Sequence, residues 1–244
     1  ISSGVTSIEP CAFASCINLA SVTLPSSLTS IGQEAFRNCT SLASVTIPDS
    51  VTYLGEAFQN CTNLASVTLP SGLTSLAGYN FYGTKITSIT IPAGVTSIGP
   101  ADFGACSLLT SIVLPSGLTS IAASAFVNCT SLTSITIPSA VTSIGNSAFS
   151  GCTALSSITL PGSLTSLGTS TFSGCTGLAS VYFQGNAPTA SSNTFTSVTA
   201  PGYRASDATG WSSPFTALPL QVFQWASRPQ EAFAQAAAAG IVVL

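Results

Sequence analysis

The segment Leu42-Ala43-Ser44-Val45-Thr46-Ile47-Pro48 alternates apolar and hydroxyl side chains, with Val45 and Ile47 on one face and Ser44 and Thr46 on the other. That period of two predicts a short strand with a single apolar side. Pro48 has no N–H to donate and ends the ladder. Val51 and Leu54 then supply a second inward pair, after which Gly55 and the Ala57-Phe58 step bring an aromatic ring inward and Cys61 closes the coil. The same order returns along most of the chain. Phe stands at 13, 36, 58, 81, 103, 126, 149 and 172, and Pro at 25, 48, 70, 92, 115, 138 and 161. Cys keeps the same step at 16, 39, 61, 106, 129, 152 and 175, with Thr84 at the missing position. A unit of 22 or 23 residues cannot bury its own apolar face, so neighbouring units must stack and supply each other's walls. Gly55-Glu56 and Thr84-Lys85-Ile86 are each one residue short of the pattern, and a local bend or loosened turn is expected there.

Leucines at fixed offsets within a period of about 20 to 29 residues mark a leucine-rich-repeat solenoid. The Ala-Phe-x-x-Cys and Ile-Pro landmarks make the resemblance specific, and the units are similar to BspA-like leucine-rich repeats. The resemblance covers residues 1–183 as about eight repeats. Residues 184–226 follow Phe183 with Gln184-Gly185-Asn186-Ala187-Pro188, then Gly202-Tyr203 and Thr209-Gly210-Trp211, and resemble the capping module that closes such arrays. The last stretch, 227–244, differs in composition: Ser227 caps, Pro229 and Gln230 follow, an Ala-rich run predicts a helix of about three turns, and Gly240 stops it. The expected fold is therefore a single right-handed solenoid, rich in short parallel strands with one repeat per coil, ending in a capping module and a short terminal helix. The resemblance implies adhesion or protein interaction at the cell surface or outside the cell.

Composition narrows the chemistry. Only 5% of the 244 residues are charged, against roughly 25% in an average soluble domain, and the formal net charge is -3. No basic surface is available to track phosphates, which excludes nucleic acid as a partner. The chain has no His and no Met, so the commonest general base and metal ligand is missing. No C-x-x-C cluster offers zinc a ligand set. Glu9, Glu34, Glu56 and Asp102 fall near equivalent turn positions of different coils, too far apart for an acid/base pair, and are expected as solvated turn residues. No enzymatic activity, cofactor or metal is expected. Although the mean hydropathy is +0.56, Ser, Thr, Gly or Pro interrupts every apolar run well short of the ~18 residues of a membrane span. The opening Ile1-Ser2-Ser3-Gly4 starts partway through a unit and reads as a processed chain or fragment, with a preceding segment or a partner expected over that end.

The most regular outward feature is a row of hydroxyl pairs: Ser21 with Thr23, Ser44 with Thr46, Ser66 with Thr68, Ser88 with Thr90, Ser134 with Thr136 and Ser157 with Thr159. It breaks at Ser111/Val113 and Ser180/Tyr182. The plain reading is a solvated strand face; the sharper ones are a protein-docking surface, a weak glycan-binding surface or an ice-binding plane. Seven cysteines recur once per coil, so they are expected as an unpaired buried ladder, each donating weakly to a turn carbonyl. Cys11 lies outside that ladder and is a candidate to bridge Cys16. Asn38, Asn60 and Asn128 begin N-x-T sequons that arise from the repeat itself beside a buried Cys turn. The apolar end Ile241-Val242-Val243-Leu244 either folds over the last coil or docks into a partner. Together these features suggest a non-catalytic protein-interaction scaffold. The alternatives are a structural subunit of a larger assembly in an organellar or secretory lumen, or a hydroxyl face for ice or glycan.

Overall fold

The computed structural model describes residues 1–223. The helix and apolar tail expected at 227–244 lie outside the described residues. No helix occurs within them; the chain winds as successive coils whose paired strands run parallel. Two ladders form, one from each inward pair of the repeat. The first contains β3 (Ser44–Thr46), β5 (Ser66–Thr68), β6 (Ser88–Thr90), β8 (Ser111–Val113), β11 (Ser157–Leu160), β13 (Ser180–Phe183), β14 (Gly202–Ala205) and β15 (Leu220–Phe223). The second contains β1 (Ser7–Ile8), β2 (Ser30–Ile31), β4 (Tyr53–Leu54), β7 (Ser97–Ile98), β9 (Ser120–Ile121), β10 (Ser143–Ile144) and β12 (Ser166–Leu167). Register is strict: Ser44 pairs Ser66, Val45 pairs Val67 and Thr46 pairs Thr68, so identical side chains share a face from coil to coil.

The core follows from that register. Phe13, Phe36, Phe58, Phe81, Phe103, Phe126, Phe149 and Phe172 stack nearly parallel with centroids 5.1 to 6.1 Å apart. The stack runs one ring beyond the eight repeats, to Phe195 at 5.2 Å. Strands β14 and β15 likewise continue the parallel sheet past residue 183, with Trp211 and Phe215 packed edge-on to Phe183 at 4.7 and 5.7 Å.

Each coil closes through two residues in the left-handed region. The second of these, just before the Cys position, is Asn38 (φ 57°), Asn60 (φ 56°) and Asn128 (φ 57°) in three coils and Gly83, Gly151 and Gly174 in three others, while Ser15 (φ 60°), Ala105 (φ 56°) and Ser197 (φ 65°) take it in the rest. Asn and Gly are the residues that adopt this conformation at least cost. The three sequons thus fall on a turn position that favours Asn.

The thiol beside that turn does structural work. Cys39, Cys61, Cys106, Cys129, Cys152 and Cys175 are buried, and each Sγ donates at 3.0 to 3.1 Å to the carbonyl of the Phe in the coil before it. Cys16 departs from the expected burial. It sits in the first described coil and is exposed. Cys11 is exposed as well, and both are free thiols. Burial pushes the ladder thiols up, Cys106 to about 11 and Cys61 and Cys175 to about 12. A maleimide at pH 7.5 should therefore label Cys11 and Cys16 within minutes and the six ladder thiols only after denaturation. Rapid labelling of three or more ladder cysteines in the native protein, read by peptide mass spectrometry, would refute this arrangement.

Both ladders are interrupted around the same coil. Strand β5 is hydrogen-bonded to β3 and β6 to β8, with no ladder between β5 and β6; the second ladder stops at β4 and resumes at β7. This seam falls where the sequence is short. In ordinary coils the N–H before Phe donates within its own turn, as Ala35 to Gly32 O at 3.2 Å and Ala148 to Gly145 O at 3.3 Å. The turn holding Gly55-Glu56 lacks a residue, and Ala57 N instead donates to Asn80 Oδ1 at 3.2 Å. Asn80 N and Nδ2 in turn donate to Asp102 Oδ1 at 3.2 and 3.0 Å. Gly99 N, whose counterparts Gly55 N and Gly145 N donate to Ile31 O and Ile121 O of the coil before, instead donates to Asp102 Oδ2 at 2.6 Å. Asp102 is thus not a solvated turn residue as the sequence suggests: it is fully buried, an acceptor for N–H groups that the shortened coil leaves without backbone partners.

Candidate functional site

Strand alternation turns the second member of each Ser-x-Thr pair outward on the first ladder. Thr46, Thr68, Thr90, Thr136 and Thr159 are exposed, as are Ser44, Ser66, Ser88 and Ser134, while Ser157 is half-buried. The structure brings these residues together as one face. Ser21–Thr23 and Ser134–Thr136 lie on it as extended segments outside the named strands, because neither stretch keeps the full ladder bonding. In the register Ser88↔Ser111, Ile89↔Ile112, Thr90↔Val113, the row passes from hydroxyl to methyl at Val113, which is 59% exposed. At the far end Thr159 pairs Tyr182 and Tyr182 pairs Tyr203, whose rings stack at 5.1 Å.

The face is not flat. A shallow groove of about 600 Å³ crosses the seam, rimmed by Ser66, Thr68, Ser88 and Thr90, with Val67 and Leu69 below and Val113 beside it. A second, of about 470 Å³, lies between Ser21–Thr23 and Ser44–Thr46. No charged side chain lines either groove. The nearest carboxylate by bonding is Asp49, which accepts from Ser71 N at 2.8 Å and Ser71 Oγ at 2.9 Å and is held below its ordinary range by those bonds. Sequence reasoning found the hydroxyl row but missed the groove. The one signal that could have pointed to it is the pair of shortened coils flanking Val67.

The other titratable groups do not converge. Glu34 pairs with Arg37 at 2.8 Å on a largely exposed turn, an interaction of little energetic weight. Glu9 accepts from Ser7 Oγ at 3.1 Å. Among the described residues no three His, Cys, Asp or Glu side chains are placed to hold a metal ion. No described helix is long and apolar enough to cross a membrane. The tail residues Ile241 to Leu244 lie outside the described residues.

Comparison with known proteins agrees with this geometry. The BspA type leucine-rich repeat region matches in six copies, over residues 1–109 and 96–200. A leucine-rich repeat protein from Bacteroides ovatus is similar in structure, with a TM-score of 0.63 and 28% identity over 90% of this chain. The chain spans 64% of the length of that protein. A leucine-rich repeat protein of T. pallidum aligns with a TM-score of 0.51 and 28% identity, over 71% of this chain and 72% of its own. No curated protein sequence matches the chain. Matched by that repeat over most of its length, the chain belongs to the BspA-type leucine-rich repeat family.

Proposed function

We propose that this chain is a non-catalytic binding scaffold, displayed at the cell surface or secreted, that takes a protein partner along its Ser/Thr strand face. One observation carries the reading: the strand register repeats an exposed, uncharged hydroxyl row across successive coils, with two open grooves in it. Each hydroxyl contact contributes about 0.5 to 1.5 kcal/mol, so affinity on such a face comes from summation over coils. The Asp102 carboxylate and the six ladder thiols are buried between coils, a placement that supports a structural role for them. An ice-binding plane fits less well, since a lattice match needs an unbroken row and this one changes at Val113 and loses its ladder at the seam.

The test is a double variant, Thr68→Arg with Thr90→Arg, assayed with the native partner identified by photo-crosslinking from position 46. Binding should be abolished while the melting temperature stays within a few degrees, because exposed strand positions contribute little to the core. Full-affinity binding by that variant, together with release on deleting Ile241 to Leu244, would make the tail the docking element instead.

A second reading, a structural subunit lodged in a larger assembly, is favoured by the 5% charge content, which suits a surface covered by partners. Native mass spectrometry separates the two: the scaffold runs as a monomer, and the subunit purifies only with its partners.

A further inference from the structure

We propose that the groove across the β5/β6 seam is an anchor site for one aliphatic side chain carried on an extended, uncharged segment of a protein partner. This rests on the strand face being the binding face and says where on it the specificity lies. The floor is more open than the coils on either side of it. Val45 is 4%, Ile47 2%, Ile89 5% and Ile91 3% exposed, whereas Val67 and Leu69 at the equivalent positions are only half-buried, as are Val22 and Leu114 in other coils that border a missing ladder. The missing ladder between β5 and β6 accounts for it, because strands that do not pair leave the core side chains between them uncovered. Val113 supplies a wall that is 59% exposed, at a position where neighbouring coils carry Thr.

The lining selects the occupant. Floor and wall are aliphatic, six Ser and Thr hydroxyls surround them, and neither a charge nor an aromatic ring lines the groove. A charged group entering it would lose hydration without a counter-charge, and a pyranose would find no ring to stack on. An aliphatic side chain covers Val67, Leu69 and Val113. A space of about 600 Å³ leaves room for the flanking backbone, whose N–H and C=O groups meet Ser66, Thr68, Ser88 and Thr90.

The experiment is a methyl NMR titration of the full chain with N-acetyl-leucine-methylamide, run beside N-acetyl-aspartate-methylamide and cellobiose. Shifts should concentrate on the methyls of Val67, Leu69 and Val113, for the leucine probe alone. Val113→Thr, which restores the usual row residue at an exposed position, should weaken binding about fourfold, the effect of one buried methyl group. Thr90→Trp, also exposed and outside the core, should fill the groove and abolish the shifts. Shifts scattered over the face, shifts unchanged in Thr90→Trp, or a stronger response to cellobiose would each overturn the proposal. If Thr136→Arg with Thr159→Arg abolishes capture of the crosslinked partner while Thr90→Trp leaves it intact, the groove is wrong and the strand-face reading stands.

Discussion

Replacing Phe126 with alanine should lower the unfolding free energy by about 3 to 5 kcal/mol, the range of large-to-small changes in a close-packed core. The ring is fully buried and stacked between Phe103 at 5.5 Å and Phe149 at 5.2 Å. Its backbone is pinned to the following coil, with Phe126 N donating to Ala148 O at 2.7 Å and Phe126 O accepting from Cys152 Sγ at 3.1 Å, and its coil is pinned to the preceding one by Phe103 N donating to Ala125 O at 2.9 Å and Cys129 Sγ donating to Phe103 O at 3.0 Å. The neighbouring coils therefore cannot close in to fill the space, and the cost lies towards the upper part of the range. Nearest-neighbour interfaces carry the stability of a solenoid, so a cavity between two coils also weakens their coupling. Urea denaturation should show a lower midpoint, and a reduced apparent m-value if the two sides unfold separately. Thr136→Ala, at an exposed position of the strand face, should change stability by less than about 0.5 kcal/mol. A loss under ~1 kcal/mol for Phe126→Ala would mean that the ring is not a core element.

Most of this architecture was legible in the sequence because it depends on residues that repeat. Phe, Pro and Cys at fixed steps report the ring stack, the strand end and the thiol ladder, and each needs only its equivalent in the next coil. What escaped depends on a single occurrence. Asp102 occupies the position that Ala35, Ala57, Ala125 and Ala148 hold in other coils, and in isolation a carboxylate near a turn reads as solvated. Only with Asn80 one coil earlier, and a missing residue beside Gly55 another coil before that, does its burial make sense. Phe195 was obscured for a different reason: the Cys and Pro landmarks lapse after Cys175, although the 23-residue step from Phe172 persists. The groove needed the absence of a ladder between β5 and β6, which side-chain alternation in Ser66–Thr68 and Ser88–Thr90 does not reveal.

That buried carboxylate gives the molecule a pH response, and the Asp102→Ala variant isolates it. Four bonds from Asn80 N, Asn80 Nδ2, Gly99 N and Gly78 N favour the ionised form, but burial opposes them and wins, pushing the group up from 3.8 to about 6. In the unfolded chain the same group titrates near its ordinary value. Below about pH 4 both states are protonated, and this group adds no pH dependence. Between about pH 4 and 6 the unfolded chain has released its proton while the folded one keeps it, so the contribution of Asp102 to stability falls as pH rises. Above about 6 both are ionised and the loss is complete, on the order of 3 kcal/mol for a difference of roughly two pKa units. Asp102→Ala removes the titration but strands the Asn80 amide and Gly99 N–H in the core, a cost of about 1 to 3 kcal/mol for each. The variant should therefore be less stable than wild type at pH 4, with the gap narrowing by up to about 3 kcal/mol on going to pH 7. Urea unfolding at pH 4, 5 and 7 measures it. A gap that stays constant or widens across that range would show that Asp102 is solvated, and that the shortened coil finds its backbone partners elsewhere.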